Sequence, residues 1–119
     1  MNNCIFCKII NKEIPVNFIY EDDMVVAFND SKPIAPVHVL IIPKKHIPTI
    51  DDLEENDEKL AGRMTMVAQK IARDLNISEK GYKLLIRVRK HGGQEIDHIH
   101  LHLLGGAPLT EDIRPIANF

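Results

Sequence analysis

The run His98-Ile99-His100-Leu101-His102-Leu103-Leu104 gathers three imidazoles within five residues, spaces them with single aliphatic side chains, and leads into Gly105-Gly106. Strict alternation has the period of a half-buried strand. It therefore predicts His98, His100 and His102 on one face and Ile99, Leu101 and Leu103 on the other. Same-side neighbours on a strand lie roughly 6.5–7 Å apart. That spacing suits three groups acting on one phosphate: a nucleophile, a partner that binds oxygen, and a partner that fixes the array. A phosphorus centre bonded to oxygen or nitrogen can be attacked by a neutral imidazole when one ring nitrogen is free and the other holds its proton against a fixed acceptor. His100, in the middle, is placed for that role. A metal-binding histidine cluster and a solvent-facing strand that happens to be His-rich are the other readings of this run.

The elements that must position these groups fit one domain. With 119 residues the chain is long enough to bury a core without covalent staples. A formal charge of −2 argues against general nucleic-acid binding, which shows a concentrated basic surface. Lys44-Lys45-His46 and Arg87-Val88-Arg89-Lys90-His91 are the local exceptions. Each is either a lure for a small phosphorylated ligand or a solvated strand end. No signal peptide and no membrane span is recognisable, so a cytoplasmic protein is expected, with Cys4 and Cys7 reduced. The cysteines are then a metal site, a redox pair or plain packing.

Residues 6–10 read as a short helix, and residues 17–20 and 24–28 as two strands around a turn at Glu21-Asp22-Asp23. Val37 to Pro43, rich in β-branched residues and apolar on both faces except for His38, reads as a central strand. Leu60, Ala61, Met64, Val67, Ala68, Ile71, Ala72 and Leu75 form the apolar stripe of a helix that has Asn56 or Asp57 as its N-cap and ends before Lys80-Gly81. Tyr82 to Arg89 follows as a strand. Leu84, Ile86 and Val88 are expected under the long helix with Ile99, Leu101 and Leu103. Lys83, Leu85, Arg87 and Arg89 take the other face, so Arg87 and the histidines turn toward a ligand. The result is an α+β domain on a mostly antiparallel sheet.

The histidine run resembles the signature of the histidine-triad family of nucleotide hydrolases and transferases. Cys4-Ile5-Phe6-Cys7-Lys8-Ile9-Ile10, Glu13-Ile14-Pro15, Ala27-Phe28-Asn29-Asp30 and the segment from Ala35 to His46 are similar, in order, to the family's opening half. Gly92-Gly93-Gln94 leads into the triad as in the branch of purine nucleoside phosphoramidases. The resemblance runs from Cys4 to about Gly106, leaving 107–119 as a divergent tail of a single domain spanning 1–119. It implies a five-stranded, mostly antiparallel sheet with one long helix and a short N-terminal helix, and a homodimer.

The same resemblance makes His100 a nucleophile that forms a transient nucleotidyl-imidazole, cleaved by water, with P–N hydrolysis of purine nucleoside phosphoramidates as the activity. His102 would bind the phosphate or the leaving group, and His98 with His38 would orient the array and hold a proton. Phe6, Ile9 and Phe28 look like the residues that sandwich the purine, with Asn29 beside them. Asp30 can accept both ribose hydroxyls. The amides around Gly93 and Gln94 could face phosphate oxygens. For any one of the apolar residues, ordinary core is the competing reading.

Two positions depart from the pattern. Arg87 stands where the phosphoramidase branch usually has Asn near the phosphate, as either a charged fork on the ligand or a surface arginine. Glu95 replaces the Ser of some relatives, and its carboxylate would be unhelpful near an anion unless it points away. Cys4-x₂-Cys7 is half of a tetrahedral zinc site, and His46 and His98 match the histidines that complete it in zinc-bearing relatives. A structural zinc is therefore the one cofactor considered; no organic cofactor is expected. Two alternatives remain. A dinucleoside polyphosphate hydrolase of the same family tends to end the triad with Pro-Arg rather than Leu104-Gly105-Gly106. A non-catalytic nucleotide-binding protein finds its support in Arg87.

Overall fold

The computed structural model describes residues 3–117. A short helix, α1 (Ile5–Ile10), precedes a five-stranded antiparallel sheet made of β1 (Tyr20–Glu21), β2 (Val25–Asn29), β3 (Val37–Pro43), β4 (Lys83–Ile86) and β5 (Leu101–Gly105). The long helix α2 (Glu58–Asp74) lies between β3 and β4 in sequence, and a single helical turn, α3 (Arg89–Gly92), between β4 and β5. The spatial order is β1-β2-β3-β5-β4. The histidine strand thus sits inside the sheet, between β3 and the edge strand β4.

Alternation along β2, β3 and β5 divides the interior in two. Val25, Ala27, Val39, Ile41, Leu101 and Leu103 pack with the α2 residues Leu60, Met64, Val67, Ala68, Ile71 and Ala72. Val26, Phe28, Leu40 and Ile42 face the other way and pack with Phe6 and Ile9 of α1. Leu40 is paired with His102 across the ladder. The histidine face is therefore the one covered by α1, and α2 holds the sheet flat from behind. Burying a large aliphatic side chain in such a layer contributes about 1.5–3 kcal/mol.

Several boundaries differ from the sequence expectation, for local reasons. The first strand is Tyr20–Glu21 rather than 17–20. The turn after it is built by Asp22, whose carboxylate accepts from the amides of Met24 and Val25 (2.7 and 2.8 Å) and binds Arg63 of α2. Helix α2 does follow the expectation, with Asp57 as N-cap before Glu58 and its end at Asp74, ahead of Lys80. Its C-terminal exit passes through Asn76 at φ +60°, which halts the helix well before Lys80.

The strand expected over 82–89 ends at Ile86. Arg89 takes φ +56° and opens α3 instead of extending the strand, so it does not share a strand face with Arg87. Leu84 and Ile86 are not under α2. They are 38% and 37% exposed, because β4 is the sheet edge and the helix crosses nearer its middle. Gly106 closes β5 at φ +87°, where a Cβ would lie 2.9 Å from the Pro36 side chain. That close approach brings the loop before β3 against the end of the histidine strand.

Candidate active site

His100 and His102 stand on the α1-covered face with ring centroids 4.9 Å apart. Nδ1 of His100 is 2.8 Å from the carbonyl oxygen of His98. A carbonyl only accepts, so Nδ1 carries the proton and the neutral ring keeps its lone pair on Nε2. A second chain of bonds fixes the next imidazole. The Ile34 amide donates to Nδ1 of His38 (3.2 Å), which leaves the proton of His38 on Nε2. That N–H donates to Nδ1 of His102 (2.9 Å), so His102 holds its own proton on Nε2. This last nitrogen is buried without a hydrogen-bond partner among the described residues. An acceptor-free N–H and a free lone pair on adjacent rings are what binding and attacking a phosphoryl group require.

Burial disfavours the charged forms of His38 and His102. Desolvation, with the neighbouring His100, His38 and Arg87 adding to it, holds His102 down to about 4. His38 is lowered for the same first reason, partly offset by Asp30, whose Oδ2 lies 3.5 Å from its Nε2.

His98 stays on the α1-covered side, edge-on to Phe6 as His100 is. Its fully buried ring sits among Cys4, Cys7 and His46. Nε2 donates to the Pro43 carbonyl (2.8 Å), which aims the Nδ1 lone pair into the cluster. Nδ1 is 3.1 Å from His46 Nδ1, 3.5 Å from Cys4 Sγ and 3.6 Å from Cys7 Sγ; Cys7 Sγ is 3.2 Å from His46 Nδ1. Bond lengths to zinc imply ligand–ligand edges of about 3.3–3.8 Å in a tetrahedron. Two thiols and two inward-facing imidazole nitrogens at these separations fit a tetrahedral metal ion. Four residues far apart in sequence are thus able to hold a metal.

The apolar residues expected around a purine are brought together. Phe6, Ile9 and Phe28 are buried in one cluster, with the Phe6 ring edge-on to Phe28 (5.9 Å), His98 (5.8 Å) and His100 (5.1 Å). They are core and site neighbours at once. Asn29 is exposed at the end of β2, and Asp30 follows it, with Oδ1 accepting the Lys32 amide (2.8 Å).

Gly93 and Gln94 depart from the expectation of free amides. Their N–H groups donate to Lys90 and Arg89 carbonyls inside the turn. The Gln94 side chain also points inward: Oε1 accepts from the Arg89 amide, and Nε2 donates to the Pro48 and Ile96 carbonyls. Gly93 supplies the φ of +76° that closes the turn. Glu95 is exposed beside the Cys4–His46 cluster with Asp97, so its carboxylate lies on the metal-cluster side.

The two basic segments are mostly spoken for. Lys44 pairs with Glu21, Lys45 with Asp57, and Arg89 with Asp51. The backbone groups that set the tautomers, the amide of Ile34 and the carbonyls of Pro43 and His98, were not found from sequence. A main-chain acceptor leaves no residue-type signal.

Comparison with known proteins agrees with this geometry. A family model described as the HIT domain matches residues 11–109. The purine nucleoside phosphoramidase of Escherichia coli K12 is 53% identical over 105 residues, 88% of each chain. A crystal structure of a HIT family hydrolase from Legionella pneumophila superposes with a TM-score of 0.90 at 49% identity, covering 92% of this chain and 98% of that one. A histidine triad protein from Clostridium difficile gives 0.89 at 40% identity, covering 92% and 96%. The chain belongs to the HIT family, the histidine-triad proteins.

Proposed function

We propose that this protein is a purine nucleoside phosphoramidase that hydrolyses the P–N bond of adenosine or guanosine 5′-phosphoramidates through His100. The observation that carries the reading is the pair of fixed tautomers: a lone pair on His100 Nε2 beside an unpartnered N–H on His102. The 53% identity to the Escherichia coli purine nucleoside phosphoramidase supports the substrate class.

In this reading His100 Nε2 attacks phosphorus and forms an N–P bond, while the His98 carbonyl receives the positive character that develops on the ring through Nδ1–H. His102 Nε2–H binds a phosphoryl oxygen as charge builds there, the kind of preorganised donor that lowers a barrier most. The P–N bond to the amine breaks, its electron pair leaving on nitrogen, which takes up a proton from solvent that the attacking water later returns. Water then attacks phosphorus, the His100–phosphorus bond breaks, and the pair returns to Nε2. One water is consumed, delivering oxygen to phosphorus and a proton to the amine. Asp30 holds the ribose, Phe6, Ile9 and Phe28 with Asn29 line the base, and Gly93, Gln94 and Glu95 act on the nucleotide by shaping the turn that leads to the triad. Release of AMP from adenosine 5′-phosphoramidate by purified protein tests this reading, and absence of release overturns it.

Zinc at Cys4, Cys7, His46 and His98 belongs to the same proposal. It would serve as a structural ion that ties α1 to the residue whose carbonyl orients His100. Thiol ligands of this kind agree with a reducing cytoplasm; among the described residues no helix is long and apolar enough to cross a membrane. A homodimer joined along β4 is supported by the exposed Leu84 and Ile86 on that edge. The proposed unit is one domain over 1–119, with 107–119 as its tail.

A further inference from the structure

Among the described residues Arg87 differs from several cations of the chain in having no carboxylate partner. Arg63, Arg89, Lys44 and Lys45 each meet a carboxylate. Among the described residues Arg87 meets none, its one bond being a long contact from Nη1 to the Gly92 carbonyl (3.4 Å). Its side chain is exposed and runs along the Gly92-Gly93 turn, where a Cβ on Gly93 would meet Nη1 at an ordinary van der Waals distance of 3.5 Å.

Its position relative to the triad follows from register. Leu85 is paired with His102 and Ile86 with Leu101, so Arg87, the next residue after β4, leaves the ladder at the end of β5 that follows His100. Its charge reaches the relay, lowering the proton affinity of both His38 and His102. The sheet order then arranges the chemistry in a line. Phe28, Asn29 and Asp30 belong to β2 or its end, His38 to β3, His100 and His102 to β5, and Arg87 to the end of β4. A nucleotide with its base and ribose toward β2 and its phosphorus over β5 directs the departing group toward β4.

We propose that Arg87 forms a subsite on the leaving side of phosphorus that selects phosphoramidates whose amine carries an oxyanion, a carboxylate or a phosphate. The guanidinium offers a planar fork of donors that matches either group. The neutral Asn usual in the phosphoramidase branch lacks that charge, so the preference belongs to this chain. The inference rests on the phosphoramidase reading for the reaction, but not for binding.

The test uses matched pairs of adenosine 5′-phosphoramidates that differ in charge: alanine against alaninamide for a carboxylate, and phosphoethanolamine against ethanolamine for a phosphate. The readout is the ratio of kcat/KM within each pair for the wild type and for Arg87→Asn and Arg87→Lys. The wild type is expected to favour the anionic member of at least one pair by about tenfold, the low end of what a charged hydrogen bond contributes. Arg87→Asn is expected to bring the ratio close to one, and Arg87→Lys to retain part of it. Which pair responds identifies the oxyanion. A wild-type ratio near one in both pairs, or an Asn variant that keeps the ratio while both rates fall, overturns the proposal. If no compound is turned over, the phosphoramidase reading fails alone. Calorimetric affinities of the same pairs then decide on Arg87 by the same ratios.

Discussion

The carbonyl oxygen of His98 accepts the Nδ1 proton of His100 at 2.8 Å, while the imidazole of the same His98 points away into a cluster with Cys4, Cys7 and His46. One residue therefore joins two sites, its backbone serving the triad and its side chain a cysteine–histidine cluster able to hold a metal. Phe6 adds a second link. It is carried on α1 between the two cysteines and packs on the rings of both His98 and His100.

Metal removal is therefore expected to be felt in the fold. Protein purified without added metal should contain close to one zinc per chain, and a strong chelator should lower Tm by at least about 5 °C, because the free energy of a structural site is folding free energy. Cys7→Ser should reproduce both the metal loss and the lower Tm. Metal analysis finding no zinc in protein that never met a chelator would return the cysteines to ordinary packing.

The pH dependence follows from His102. Its folded value of about 4 lies below the ordinary 6.5, so between these values the unfolded chain binds the extra proton more readily. Stability is then full above about pH 6.5 and is lost as pH falls toward 4. The slope contributed by this one group is up to about 1.4 kcal/mol per pH unit. Urea unfolding from pH 7 to 4 should show a shallower loss for His102→Asn than for the wild type. Equal slopes in the two proteins would show that His102 is not held neutral by the fold.

The turn before the triad depends on Gln94. Replacing it with Ala removes one acceptor and two donor contacts, to the Arg89 amide and to the Pro48 and Ile96 carbonyls. A loss of about 1–3 kcal/mol is expected in chemical denaturation. A variant as stable as the wild type would mean that water replaces these bonds without cost.

Much of this was legible in the sequence, and the failures have physical causes. The α2 stripe and the whole of β3 stand out because a 3.6-residue period and a β-branched run bounded by prolines report burial directly. Alternation located Ile99, Leu101 and Leu103 against α2. It failed for Arg89, whose positive φ no residue-type pattern announces. Leu84 and Ile86 read as core because sequence does not say which strand ends up at the edge. The gathering of Phe6, Ile9 and Phe28 and the cysteine–histidine cluster were recognisable by resemblance. The tautomers were not, since they depend on the main-chain groups of Ile34, Pro43 and His98.

The central claim is that His100 Nε2 becomes bonded to phosphorus. Rapid acid-free quenching of the wild-type protein during turnover of adenosine 5′-phosphoramidate, followed by peptide mass spectrometry, measures this directly. The expected result is a nucleotidyl group on the peptide containing His100, localised to that residue, and its absence together with lost turnover in His100→Ala. Turnover that survives in His100→Ala, or a nucleotidyl group on a different residue, would contradict the account.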